Sequence, residues 1–84
     1  MTMNKFAGTE NEYFKQTGRN IFYKHHKGTC TEIRLEPPFS FGDAFTPLEW
    51  MDGTNKDQSK LYTRSNELAW NKAKDSLLEL ASLI

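Results

Sequence analysis

His25, His26 and Cys30 form the only concentration of metal-ligating or nucleophilic residue types in this 84-residue chain. Neighbouring residues of a strand point to opposite faces, so His25 and His26 cannot hold one ion together. His25 and Cys30 can meet across a hairpin, but a structural zinc ion needs four ligands and a catalytic one three. A Cys–His nucleophile also needs an orienting third group, which no motif supplies. We therefore expect no metal, no cofactor and no enzymatic activity.

A second candidate is the basic stretch, residues 13–27, which carries four cations, two histidines, four aromatic residues and no acid. Cations that follow phosphates and rings that stack on bases are the means by which proteins bind single-stranded nucleic acid. The residues that would do so are Tyr13, Lys15, Arg19, Tyr23, Lys24, His26 and Lys27. The competing interpretation is that the rings are core residues and the cations lie on a solvated hairpin face.

The third candidate is the aromatic-rich middle of the chain. Six large apolar residues fall within 13 positions: Phe39, Phe41, Phe45, Leu48, Trp50 and Met51. A small core cannot cover all of them, so some should form an exposed patch that suits a protein partner. The predicted protein-binding residues are Phe45, Glu49, Trp50, Met51 and Asp52.

Composition limits the class of protein. The 37% of hydrophobic residues exclude a disordered chain, and 11 basic against 11 acidic residues exclude a bulk nucleic-acid packager. The charge is nevertheless divided, with a net +3 over residues 1–35 and −3 over residues 36–84. One cysteine allows no internal disulfide, and no stretch has the apolar length of a signal peptide or a membrane span. We expect a cytoplasmic protein that does not contact a membrane.

The elements that must position these residues begin with a hairpin. Residues 20–26 and 29–36 are β-rich runs, and Lys27-Gly28 between them suits a tight turn. This turn places His25 opposite Cys30 and Phe22 opposite Ile33. The face with Phe22 and Ile33 is the predicted core face, and the face with His25 and Cys30 is the outer one.

Weaker signals follow the hairpin. Pro37-Pro38 ends the strand, and residues 39–41 predict a short strand that Gly42-Asp43 breaks. The pattern Thr46-Pro47-Leu48-Glu49 favours a short helical turn, with Thr46 as its cap. The competing interpretation is a strand over residues 48–51 that pairs with residues 61–63. The polar residues 53–60 predict an exposed loop.

The C-terminal residues 65–83 predict a long helix, capped by Ser65 and free of glycine and proline. One apolar stripe runs along it: Trp70, Ala73, Leu77, Leu80 and Ile84. Such a stripe packs on the sheet of its own domain or on a second copy, and a homodimer through this helix is a possible arrangement.

Taken together, these elements predict one small α+β domain over residues 1–84, with residues 1–12 poorly ordered. A small antiparallel sheet, the hairpin plus one or two short strands, packs against the helix over about residues 65–83. In size and general character the chain resembles accessory proteins of phages and mobile elements, including anti-CRISPR and other anti-defence inhibitors. The resemblance implies a non-catalytic inhibitor or adaptor that binds a host protein or a subunit of a defence complex. The alternative is single-stranded nucleic-acid binding through the basic stretch.

Overall fold

A computed structural model describes residues 11–82. Five strands form one antiparallel sheet, which packs against a long C-terminal helix, so the predicted α+β class is confirmed. The elements are β1 (Glu12–Gln16), β2 (Ile21–His26), β3 (Thr29–Arg34), β4 (Ser40–Ala44), a 3₁₀ helix (Leu48–Trp50), α1 (Lys56–Ser59), β5 (Tyr62–Arg64) and α2 (Glu67–Ser82). The strand order is β4-β3-β2-β1-β5.

The β2–β3 hairpin has the predicted register. His25 lies opposite Cys30 and Phe22 lies opposite Ile33. Lys27 and Gly28 both have positive φ angles, 50° and 79°, as a two-residue turn that follows the twist of the strands requires. The conformational freedom of Gly28 therefore determines which side chains face each other across β2 and β3.

Both faces of the sheet are buried, whereas only one was expected to be. The helix face carries Phe22 and Ile33, on which Trp70 and Ala73 of α2 pack. The opposite face, predicted to be the outer one, carries a second core cluster of Phe14, Ile21, Tyr23, Cys30 and Met51. That prediction was wrong because the chain after β4 folds back over this face, which we call the loop face.

The strand β1 was missed because its two aromatic residues, Tyr13 and Phe14, are adjacent, so the segment lacks the alternation of polar and apolar residues that marks a half-buried strand. It pairs with β2 through Phe14 opposite Tyr23 and with β5 through Phe14 opposite Arg64. Residues 1–12 were predicted to be poorly ordered, but Glu12 belongs to β1 and residue 11 directly precedes this strand. Residues 1–10 lie outside the described residues.

The middle of the chain corrects three further expectations. The 3₁₀ helix confirms the helical turn at residues 48–51 and overturns the competing strand, although Thr46 is not its cap. Gly42 and Asp43 do not break β4, because both pair with β3. The predicted loop at residues 53–60 contains α1, whose first turn is capped by Asn55 Oδ1 accepting from Gln58 N at 3.1 Å.

The long helix begins at Glu67, and Asn66 rather than Ser65 caps it, with Asn66 Oδ1 accepting from Ala69 N at 2.9 Å. Trp70 and Ala73 are buried and Leu77 packs beside them, as the stripe predicted. Leu80 is partly exposed, and the final residues 83 and 84 lie outside the described ones. A homodimer through α2 thus stays a prediction. Among residues 11–82, no helix combines the length and apolar character needed to cross a membrane.

Candidate functional site

The segment over the loop face, residues 45–52, is held in place by two inward-pointing side chains. Met51 is 4% exposed and belongs to the core cluster with Phe14 and Tyr23, and Leu48 packs against the same cluster. We call residues 45–52 the covering segment. Because Leu48 and Met51 pack on the core, the chain after β4 folds back over the loop face instead of forming a solvent-exposed loop.

Backbone hydrogen bonds also order the covering segment. Met51 N and Asp52 N donate to Leu48 O at 2.9 and 3.0 Å, and Asn55 N donates to Glu49 O at 2.9 Å. Ser59 Oγ donates to Trp50 O at 3.0 Å and accepts from Gly53 N at 2.9 Å, so α1 is tied to the same segment. The segment is thus a fixed scaffold for the side chains that it directs outward.

Three of the five predicted protein-binding residues point outward from this scaffold. Phe45 is 93% exposed, Trp50 is 40% exposed and Glu49 is exposed. Asp52 is half-buried, and its Oδ1 accepts from Thr54 N at 2.9 Å, so it shapes the backbone. Met51 is committed to the core and offers no surface to a partner. We call Phe45, Glu49 and Trp50 the aromatic surface.

An open cleft of about 380 Å³ lies between the covering segment and the hairpin turn. One row of the sheet contributes its base, because Glu12, His25, Cys30 and Ala44 lie opposite one another on successive strands. The rest of the lining is His26, Lys27, Gly28, Phe45, Thr46, Pro47, Leu48 and Glu49. The hairpin register predicted the meeting of His25 with Cys30. No sequence signal showed that residues 44–49 would close over them.

His25 is the buried polar residue of this cleft. It is 6% exposed, and its Nε2 has no hydrogen-bond partner among the described residues. Its ring lies edge-on to Phe14, with centroids 6.1 Å apart. Burial lowers the pKa of His25, and the carboxylates of Glu12, Asp52 and Glu49 oppose this only in part. The imidazole is therefore neutral at neutral pH.

Cys30, the neighbour of His25, is unsuited to nucleophilic chemistry. Burial, assisted by the charge of Glu32, raises the pKa of its thiol to about 11. The thiolate is the reactive form of cysteine, and it is scarce at neutral pH when the pKa is this high. In the part of the chain that the structure describes, no group of three or more His, Cys, Asp or Glu side chains could hold a metal ion.

The residues of the basic stretch do not share one surface. Tyr23 is buried in the core of the loop face, while the ring of Tyr13 packs near Trp70 on the helix face, with centroids 6.3 Å apart. Arg19 Nε donates to Glu36 Oε2 at 2.7 Å, and Lys15 Nζ lies 5.9 Å from the centroid of the Phe22 ring. The remaining members are Lys24, half-buried on the helix face, and His26 and Lys27, exposed near the turn.

Comparisons of the chain with protein-family models, with curated proteins and with solved structures reveal no match.

Proposed function

We propose that the protein is a small non-catalytic module that binds another protein through the aromatic surface and blocks the surface that it covers. The observation that carries the proposal is the 93% exposure of Phe45, which directly follows Ala44, the residue of β4 that pairs with Cys30. Exposed aromatic rings surrounded by polar groups are the usual centres of binding energy at protein interfaces. An inhibitor of the phage or mobile-element type, which the chain resembles in size and general character, would act in this way.

Transfer of these aromatic rings from water into an interface would supply most of the binding free energy. Full burial of one large apolar side chain contributes about 1.5–3 kcal/mol, and the indole of Trp50 would add to the contribution of Phe45. Binding by a mobile loop would lose part of this free energy in ordering the backbone. The hydrogen bonds of Ser59 to Trp50 O and Gly53 N reduce that cost at the Trp50 end of the covering segment.

Charge determines which partner surface is suitable. Glu49 is exposed between the two aromatic positions, and Asp52 lies just beyond Trp50 in the chain. Acidic groups at the border of an apolar contact favour a partner whose surface is basic there, and they steer its approach. We therefore expect an apolar pocket with lysine or arginine at its rim on the partner.

The test is capture of a partner by the tagged chain from lysate of the native host, with one surface variant and one control. We expect Phe45→Glu to abolish capture, because it places a charge at the centre of the contact without touching the core. Phe39→Glu serves as the control, because Phe39 is also an exposed aromatic residue but lies outside the aromatic surface. Circular dichroism checks that both variants keep the fold.

Two results would contradict the proposal. One is the absence of any stoichiometric partner in lysates of the native and related hosts. The other is capture of the same protein by the wild-type chain and by Phe45→Glu in equal amounts. Loss of capture in Phe39→Glu alone would show that the partner contacts the edge of the sheet at β4 instead.

Single-stranded nucleic-acid binding has less support, because Tyr23 is buried in the core of the loop face and Arg19 is paired with Glu36. A salt titration with a fluorescent oligothymidine decides between the two functions. Four phosphate contacts would give a slope of roughly −3 in a plot of log K against log salt. We expect no such binding; a slope of that size, lost when Lys15, Arg19, Lys24 and Lys27 become alanine, would establish the alternative.

A further inference from the structure

We propose that the cleft beside the aromatic surface binds a cationic side chain on an aliphatic stem, a lysine or an arginine of the partner protein. The inference rests on the proposed function, since it names the group that the partner would insert next to Phe45. It is carried by a buried imidazole nitrogen that has no partner within residues 11–82, by the carboxylates of Glu12 and Glu49, and by an apolar wall, all of which line this one cleft.

The unpartnered group is Nε2 of His25, which accepts a hydrogen bond in the tautomer that carries the ring proton on Nδ1. A buried polar atom without a partner costs about 1–3 kcal/mol, and a ligand that supplies a hydrogen bond there recovers part of this free energy. Since the neutral imidazole can accept at one ring nitrogen, an ammonium or guanidinium N–H is a suitable donor. The cleft is open to solvent, and its volume of about 380 Å³ is within the range of ligand sites, roughly 300–1,000 Å³.

The charges around the cleft favour a cation over an anion as its ligand. Three carboxylates, those of Glu12, Asp52 and Glu49, act on the imidazole of His25. The cations nearby are Lys27, on the lining, and Arg64, whose Nη1 lies 3.2 Å from Glu12 Oε1. On the lining itself, the carboxylates of Glu12 and Glu49 outnumber the ammonium of Lys27, which disfavours a phosphate or a carboxylate as ligand.

Glu49 is the carboxylate best placed to pair with the ligand. It is exposed on the lining of the cleft, and within residues 11–82 it takes part in no ion pair. Glu12, by contrast, already has Arg64. The ammonium or guanidinium would thus pair with Glu49 and lie beside the ring of His25.

An apolar wall receives the methylene groups of the ligand. Ala44 and Leu48 pack against the core and also line the cleft, and Pro47, an exposed residue of the covering segment, lines it beside them. Lysine and arginine side chains bury their methylenes on such surfaces and keep the charged end at the polar groups. The exposed ring of Phe45, at the border of the cleft, adds a face for a cation–π contact.

The test uses three capped amino acids as probes for ¹⁵N NMR of the full chain. They are the Nα-acetyl methylamides of lysine, arginine and norleucine, the last an apolar control with the stem of lysine but no charge. We expect lysine or arginine to shift the His25 Nε2 resonance with a millimolar Kd, the range of a single side chain, and norleucine to leave it unchanged. The relative Kd of the two cations shows whether the ammonium or the guanidinium is preferred.

A pair of variants tests the charge. Glu49→Gln keeps the size of the side chain and should raise the Kd at least threefold. Asp57→Asn removes an exposed carboxylate from α1, outside the cleft, and should leave the Kd unchanged. His25→Phe should abolish binding, and its thermal unfolding shows whether the fold is retained.

Three outcomes would overturn the inference. They are the absence of a shift with either cation, an equal shift with norleucine, and a larger shift with inorganic phosphate than with either cation. Unchanged affinity in Glu49→Gln would also overturn it. Since these measurements need no partner, their failure leaves the Phe45-dependent capture experiment as an independent test of protein binding.

Discussion

At the scale of single residues, His25 couples the candidate site to the stability of the fold. Its pKa is lower in the folded chain than in the unfolded chain, where a histidine titrates near 6.5. The unfolded state therefore binds more protons between these two pKa values. The contribution of His25 to the free energy of unfolding is fully present above about pH 6.5, and it is lost as the pH falls through the pKa of the folded state.

This relation gives a prediction for urea unfolding of the wild type and of His25→Phe between pH 7.5 and pH 5. The wild type should lose free energy of unfolding on acidification, and the variant should lose less, because a phenyl ring takes up no proton. The carboxylates that face His25, on β1 and on the covering segment, are present in both proteins. His26→Gln, at the exposed neighbouring position, is the control and should follow the wild type.

Parallel curves for the wild type and His25→Phe would contradict the prediction. The variant also shows the cost of the unpaired Nε2, since replacing a buried polar group that has no partner by an apolar group of similar shape is nearly neutral or stabilising. A gain in stability at pH 7.5 together with loss of cation binding would identify His25 as a position where stability is given up for a ligand.

At the scale of elements, the covering segment joins the core to the aromatic surface. Met51 points inward and Trp50, its neighbour, is partly exposed. Substitutions at the two positions should therefore separate an effect on stability from an effect on the proposed binding. The sequence predicted a single protein-binding patch made of Phe45, Glu49, Trp50, Met51 and Asp52. In the fold these residues have different roles, because some side chains point into the core and others point outward.

We predict that Met51→Ala lowers the free energy of unfolding by about 2–5 kcal/mol, because it leaves a cavity between the sheet and the covering segment. Trp50→Ala should cost less than Met51→Ala and should weaken partner capture. Urea unfolding at pH 7 measures the first effect and quantitative capture the second. A larger loss of stability in Trp50→Ala than in Met51→Ala would show that the segment is anchored differently.

Sequence patterns predicted the elements whose signals are local. The turn Lys27-Gly28 determined the hairpin register, and the spacing of Trp70, Ala73 and Leu77 predicted the buried side of α2. The strand β1 was not predicted although it pairs with its neighbour β2, because its residues do not alternate. The pairing of β5 was not predicted because its partner, β1, is distant in the chain. The cleft was missed because it exists only where the covering segment returns to the sheet. The apolar residues Leu48 and Met51 indicated that this segment packs on the core, but not on which part of it.

At the scale of the whole molecule, a chain of 84 residues covers both faces of one sheet. The helix face is closed by a continuous helix, while the loop face is closed by a short segment with few anchors. The unequal covers explain why the cleft and the most exposed aromatic residue occur on the same side. A partner that binds there would complete the thinner of the two layers.

The pairing of β1 with β5 has a consequence for how the protein folds. Phe14 lies opposite Arg64, fifty positions away, whereas His25 and Cys30 are neighbours across a two-residue turn. Closing a long loop costs more chain entropy than closing a hairpin, and contacts distant in sequence slow folding. We therefore expect the β2–β3 hairpin to assemble early and the docking of β5 on β1 to limit the rate. During synthesis, the sheet cannot be completed until residues 62–64 have left the ribosome.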